Sequence, residues 1–114
     1  MVRPAYCPDR GDVVWISFHP REGHEQAGLR PALVLSPRSY NHKVGLAILC
    51  PLTNEAKGYP FEVAVPDGLK ATGVILSDQV KSMDWRTRKA SLLCCVPPET
   101  VSQVLGKLGT LLHG

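Results

Sequence analysis

The sequence predicts a mainly β, α+β domain that ends in one amphipathic helix, and three observations carry that reading. Ten prolines and ten glycines divide the 114 residues into short segments, which suits strands and tight turns better than a helical bundle. The segments between them are β-branched, aromatic or continuously apolar. After Pro97-Pro98-Glu99 the period changes, with Val101, Val104, Leu105, Leu108, Leu111 and Leu112 at three- and four-residue spacing.

The elements follow in order. Asp12 to Phe18 alternates as a strand, with Val13, Trp15 and Ser17 on one face and Val14, Ile16 and Phe18 on the other. Ala32 to Leu35 and Leu46 to Cys50 are unbroken apolar runs bounded by Pro31, Pro37, Gly45 and Pro51, as expected of central strands buried on both faces. Phe61 to Val65 alternates and stops at the Pro66-Asp67-Gly68 turn. Val74 to Leu76, Asp78 to Trp85 and Lys89 to Val96 are further extended segments, the last two joined through Arg86-Thr87-Arg88. In the closing helix, proline suits the first position because its missing N–H would be unpaired there, and Glu99 faces the positive end of the dipole. Gly106 and Gly109 each cost about 1 kcal/mol of helix propensity. They either let another element approach closely or simply weaken the helix.

The length fits one domain over residues 1–114 and leaves no room for a separate regulatory one. With 44% hydrophobic and 20% charged residues the chain has ordinary globular usage and can hold a core without staples. The longest apolar runs fall far short of the ~18 residues of a spanning helix. The first ten residues lack the apolar stretch of a signal peptide, so the expected location is the cytoplasm and no membrane is involved. Cys94 and Cys95 are adjacent while Cys7 and Cys50 stand alone, which points to reduced thiols and not to a disulfide framework. The net charge of +3 permits a basic patch but is mild for a nucleic-acid architectural protein.

Two segments could hold chemistry. Arg21 to Pro31 is unusually polar for a connection between buried strands, and fits either a solvated loop or a site. Arg30 favours the site: Pro31 holds its backbone extended, so a fork of five donors suited to phosphate projects from a rigid edge. Cys50 to Glu62 leaves a strand for a loop with a hydroxyl, an amide and an amine. There Thr53 fits two roles equally, satisfaction of a neighbouring backbone group or chemistry. Asp78 to Ser82 adds polar reach beside Trp85, which reads as core. The four histidines share no ligand spacing, so no metal site is expected. Nucleophile-elbow, Walker and dinucleotide motifs are also missing. An anion-facing set of Arg, Thr and Glu remains.

At these residues the sequence resembles the MazF/PemK family of toxin endoribonucleases of type II toxin–antitoxin systems. The resemblance rests on Gly11-Asp12-Val13-Val14-Trp15, on Glu25 to Pro37 (EQAGLRPALVLSP), on Pro51-Leu52-Thr53, on Lys57 to Val63 (KGYPFEV) and on Asp78 to Arg86 (DQVKSMDWR), and it covers nearly the whole chain. It implies an SH3-like, CcdB-like antiparallel β-barrel with a C-terminal helix. It also implies a homodimer and cofactor-free, metal-independent cleavage of single-stranded mRNA at short sequences. Such cleavage inhibits translation and growth until a cognate MazE-like antitoxin with an acidic C-terminal tail neutralises it.

Carried over by position, the resemblance makes Arg30 and Thr53 the catalytic pair, with Glu25 near the scissile phosphate. It makes Phe18, His24, Gln26, Asn41, Lys57 and Gln79 RNA contacts, through stacking, hydrogen bonding and phosphate attraction. Metal-free cleavage uses the RNA's own 2′-OH, so the protein must move protons and stabilise phosphate charge. An arginine, with a pKa above about 12, suits the second task better than the first. Leu29 stands where some relatives carry a polar residue, and His24 either replaces an assisting imidazole or is a solvated loop histidine. Arg21, Arg30, Lys57, Lys81, Arg86 and Arg88 would concentrate positive potential if their loops converged. Two alternatives are a CcdB-like gyrase poison and a non-catalytic SH3-like RNA-binding module.

Overall fold

The alternating and apolar runs pair into one antiparallel sheet of seven strands. The computed structural model describes residues 5–18 and 28–113. In chain order the elements are β1 (Asp12–Ser17), β2 (Leu29–Val34), α1 (Arg38–Val44), β3 (Leu46–Thr53), β4 (Glu62–Ala64), β5 (Val74–Leu76), β6 (Lys81–Asp84), β7 (Ser91–Cys95) and α2 (Pro98–His113). The sheet runs β4-β5-β3-β2-β1-β7, with β6 also on β3. Strand β2 starts at Leu29, earlier than its apolar run, because Leu29, Arg30 and Pro31 pair with Ser17, Ile16 and Trp15.

Strand β3 is the hub. One edge pairs β2, from Ala32↔Pro51 to Val34↔Leu49. Its other edge serves two partners: Leu46 to Leu49 pair with β6, and Leu52 and Thr53 with β5. The change of partner falls at Cys50-Pro51, where proline lacks the N–H that would extend a ladder. β5 enters through Gly73 at φ +95, where an added Cβ would lie 2.2 Å from the Thr53 carbonyl oxygen. A side chain there has neither the backbone conformation nor the space. A bulge between Val13 and Val14 bends β1 against β7. The curved sheet then returns on itself through the 85–90 turn, where the Ala90 N–H donates to the Trp85 carbonyl at 3.0 Å.

Curling separates two cores. On the outer face Val13, Leu33, Cys50, Leu52, Val63 and Ile75 pack under Val101 and Val104 of α2. The inner face, which is the barrel interior, carries Val14, Ile16, Ala32, Val34, Ala47, Leu49, Met83 and Trp85. The run Ala32 to Leu35 is thus buried on both sides, whereas in the second run Ala47, Leu49 and Cys50 are buried and Leu46 and Ile48 are half-buried. Gly106 has no neighbour within 4 Å of an added Cβ and Gly109 meets its own helix's His113, so these glycines weaken α2 without admitting another element.

Helix α1 has too few residues for an apolar period, and the sequence did not announce it. It forms because Gly45 takes φ 82 at its C-cap and donates its N–H to the Asn41 carbonyl. The four cysteines are free. Among the described residues no helix is long and apolar enough to cross a membrane.

Candidate functional site at the barrel mouth

Side chains alternate along a strand with period two, so the inner face can be followed past its last apolar residue. On β1 the row Val14, Ile16 continues to Phe18. On β2, read backwards, Val34 and Ala32 continue to Arg30. On β3 Ala47 and Leu49 continue through Pro51 to Thr53, and on β6 Met83 continues to Lys81. All four continuations emerge at one end of the barrel. They line an open groove of about 410 Å³, together with Lys57, Tyr59, Glu55, Glu62, Asp78 and Gln79. The site is therefore the mouth of the barrel, where the interior changes from apolar to polar.

Register sets the central pair. Each paired step on β2 and β3 keeps the same offset, and two residues beyond Ala32↔Pro51 that offset brings Arg30 opposite Thr53. Directly opposed positions stand about 5 Å apart at Cβ, a span that one phosphate can bridge. The Arg30 side chain is exposed, and no described residue bonds its guanidinium. Thr53 Oγ1 accepts the Glu55 N–H at 3.1 Å. The turn uses an acceptor of the hydroxyl and leaves its proton available, so both roles open to Thr53 are compatible.

Other contacts shape the walls. Lys81 Nζ lies 5.9 Å from the Phe18 ring centroid, and Arg88 Nη1 donates to the Ser17 and Phe18 carbonyls at 2.9 and 3.1 Å, fixing the strand end that presents the ring. Glu62 accepts the Lys57 and Gly58 N–H groups at 2.9 and 3.0 Å. Lys107 of α2 donates its ammonium to the Pro60 carbonyl.

The predicted site divides three ways. Arg30, Thr53, Phe18, Lys57 and Gln79 meet at the groove. Glu25, His24 and Gln26 lie outside the described residues. Asn41 is a correction: it is wholly buried, its Nδ2 donates to the Pro8 and Ser36 carbonyls at 2.9 and 3.0 Å, and its Oδ1 accepts the Ser36 hydroxyl at 2.5 Å. Its carbonyl takes the Trp85 indole N–H at 2.9 Å, at the opposite end of the barrel, so Asn41 plugs the core and cannot contact RNA at the mouth. Of the basic residues expected to converge, Arg30, Lys57 and Lys81 do so, and Arg21 lies outside the described residues. Arg86 instead stacks on Trp85 at 4.8 Å, and Arg88 serves the backbone. Tyr59 and Glu62 are lining residues that the sequence leaves without a role, while Lys81 enters only as one of the basic residues; the period-two continuation from Met83 would have placed it at the mouth. Among the described residues, no three of His, Cys, Asp and Glu converge as a metal site.

Residues 9–112 match the family described as PemK-like, MazF-like toxin of type II toxin–antitoxin system. The chain is 48% identical over 107 residues to the endoribonuclease toxin MazF of Escherichia coli strain K12, covering 94% of this chain and 96% of that one. The crystal structure of MazF from Deinococcus radiodurans superposes with a TM-score of 0.87 at 52% identity, covering 96% of this chain and all of that one (100%). A MazE–MazF crystal structure from the same organism gives 0.85 at 48% identity over 95% and 97% of the two chains. Sequence and fold agree, and the chain belongs to the PemK-like, MazF-like toxin family of type II toxin–antitoxin systems.

Proposed function

We propose that this chain is a cytoplasmic, sequence-specific endoribonuclease toxin that cleaves single-stranded mRNA at the barrel mouth without a metal. The carrying observation is that Arg30 and Thr53 line one groove at the end of the inner face, two residues past the last β2–β3 pair, Ala32↔Pro51. Relatives named as MazF and PemK endoribonucleases support it. The RNA 2′-OH attacks the adjacent phosphorus while the 5′-oxygen departs, leaving a 2′,3′-cyclic phosphate and a 5′-hydroxyl. Arg30 stabilises the charge gathering on the phosphate oxygens, Thr53 hydrogen-bonds the same group through its hydroxyl, Glu25 accepts the 2′-OH proton, and the departing 5′-oxygen takes its proton from Arg30. Phe18 offers a ring for a base to stack on, and Lys57 and Gln79 hold backbone and base.

The toxin works as a homodimer. A MazE-like antitoxin neutralises it by laying an acidic tail across the same mouth, where Arg30, Lys57 and Lys81 face solvent. Crystal structures of MazE–MazF complexes among the structural neighbours support an antitoxin partner. Surface charge is screened, so apolar anchors must help order such a tail, and tail affinity falls with salt without vanishing.

Incubation of pure protein with single-stranded RNA in EDTA tests the reading. We expect cleavage with 2′,3′-cyclic phosphate and 5′-hydroxyl ends. A 3′-hydroxyl product, or loss of activity in EDTA, overturns the mechanism.

A further inference from the structure

The loop from Glu55 to Phe61 forms one wall of the groove, yet it pairs with no strand and lies largely in solvent. Long loops without ladder bonds are normally mobile. This one is held at both shoulders. The Glu62 carboxylate, at the start of β4, takes the consecutive N–H groups of Lys57 and Gly58 with one oxygen each, at 2.9 and 3.0 Å. Gly58 has φ 80, so the two amides form the concave pair that binds anions elsewhere in proteins, here filled by an internal carboxylate. The Glu62 N–H returns to the Tyr59 carbonyl at 3.1 Å, and Lys107 reaches from α2 to the Pro60 carbonyl. Lys57 and Tyr59 both line the groove.

We propose that Glu62 is a positioning residue: its carboxylate, assisted by Lys107, clamps the 55–61 loop so that Lys57 is pre-set to meet an RNA phosphate. Glu62 itself need not touch substrate. The clamp spares the loop from being ordered when RNA binds, so it acts on binding and leaves the chemical step to Arg30 and Thr53. This rests on the ribonuclease reading of the mouth.

The test compares wild type, Glu62→Gln, Lys107→Met, Lys57→Met and the Glu62→Gln/Lys57→Met double variant. The substrate is a labelled single-stranded RNA carrying one mapped cleavage site. Glutamine keeps the size but presents an NH2 to one of the two amides, which breaks the clamp. We expect KM for Glu62→Gln to rise about tenfold, the effect of losing a charge-assisted anchor, with kcat changed by less than about threefold. The salt slope of log KM should fall by about 0.7, the share of one phosphate contact to a single strand. Lys107→Met should move KM the same way but less. The double variant should bind no worse than Lys57→Met, because both changes remove one contact.

Amide exchange separates the two levels of the proposal. The Lys57 and Gly58 N–H groups should exchange slowly in wild type and rapidly in Glu62→Gln, with or without RNA. Equal exchange in the two proteins, fully additive KM effects, or a loss in kcat alone overturns the clamp. A wild-type protein that cleaves nothing overturns the ribonuclease reading, and amide exchange still decides whether Glu62 holds the loop.

Discussion

The two ends of the barrel are built from the same strands and finish oppositely. At one end Trp85, Asn41 and Ser36 form a closed plug in which the indole N–H, the amide and the hydroxyl all find partners inside the protein. At the other, Phe18, Arg30, Thr53 and Lys81 continue the inner row into an open groove. Strand β6 joins the two, with Lys81 at the mouth and Trp85 just beyond its far end. Polar residues occur at both ends, so polarity alone does not mark the site. What differs is whether donors and acceptors are satisfied internally: a complete network rigidifies the fold, and an incomplete one remains available to a ligand.

That contrast can be broken from either side. The largest expected effect is at the mouth, where Arg30→Ala removes a charged donor that faces solvent and should lower kcat about 10²–10³-fold. Its denaturation midpoint should stay that of the wild type, and Arg30→Lys should recover activity only in part because the planar fork is gone. Single-turnover cleavage measured beside urea melts checks both halves. At the plug the pattern should invert. Asn41→Ala removes the acceptor of the Ser36 hydroxyl proton and the amide donor to the Pro8 and Ser36 carbonyls, and should lower stability by about 2–3 kcal/mol while the folded fraction keeps its turnover.

A smaller effect sharpens the comparison. Thr53→Val keeps the shape of the side chain and deletes its hydroxyl, so cleavage should fall about tenfold, as for loss of one neutral hydrogen bond in the transition state. An equal loss of stability would assign the hydroxyl to the Glu55 turn. The smallest effect lies at the plug's rim. The Arg38 N–H foremost, and the Arg10 N–H after it, hold the Asp9 carboxyl below the usual carboxylate range. A depressed folded value means that Asp9 contributes stability in full above its unfolded pKa of about 3.9. That contribution is lost as pH falls through the folded value. Asp9→Asn should therefore be slightly less stable than wild type at pH 7, with the difference vanishing near pH 2 in denaturation series.

Much of this architecture is legible in the residues, for identifiable reasons. The strands of the two cores follow from alternation and from unbroken apolar runs, and the closing helix from a period of three and four. Arg30 stands out because Pro31 stiffens the chain beside it, whereas Thr53 fits a turn and a site equally until the family resemblance matches it. Asn41 misled because α1 is too short to show a period, and only tertiary packing shows that its amide turns inward to Pro8 and Ser36. Glu62 escaped because its partners are backbone N–H groups, which carry no sequence signature. The exchange of β5 for β6 along β3 was equally silent, since strand order depends on contacts distant in the chain.

The shared register of β2 and β3 also governs which changes in chain length the protein can absorb. A strand shifted by one residue turns every side chain to the opposite face. Deleting one residue between Arg30 and Ala32, or between Pro51 and Thr53, would therefore carry a member of the pair from the mouth to the outer surface while the β2–β3 pairs nearer the plug stayed in register. The loop between Thr53 and Glu62 carries no such parity. A single-residue change there alters reach, and between Lys57 and Glu62 displaces the clamp, without reversing a strand's side chains, so insertions and deletions divide this molecule into segments that count in twos and a segment that counts residue by residue.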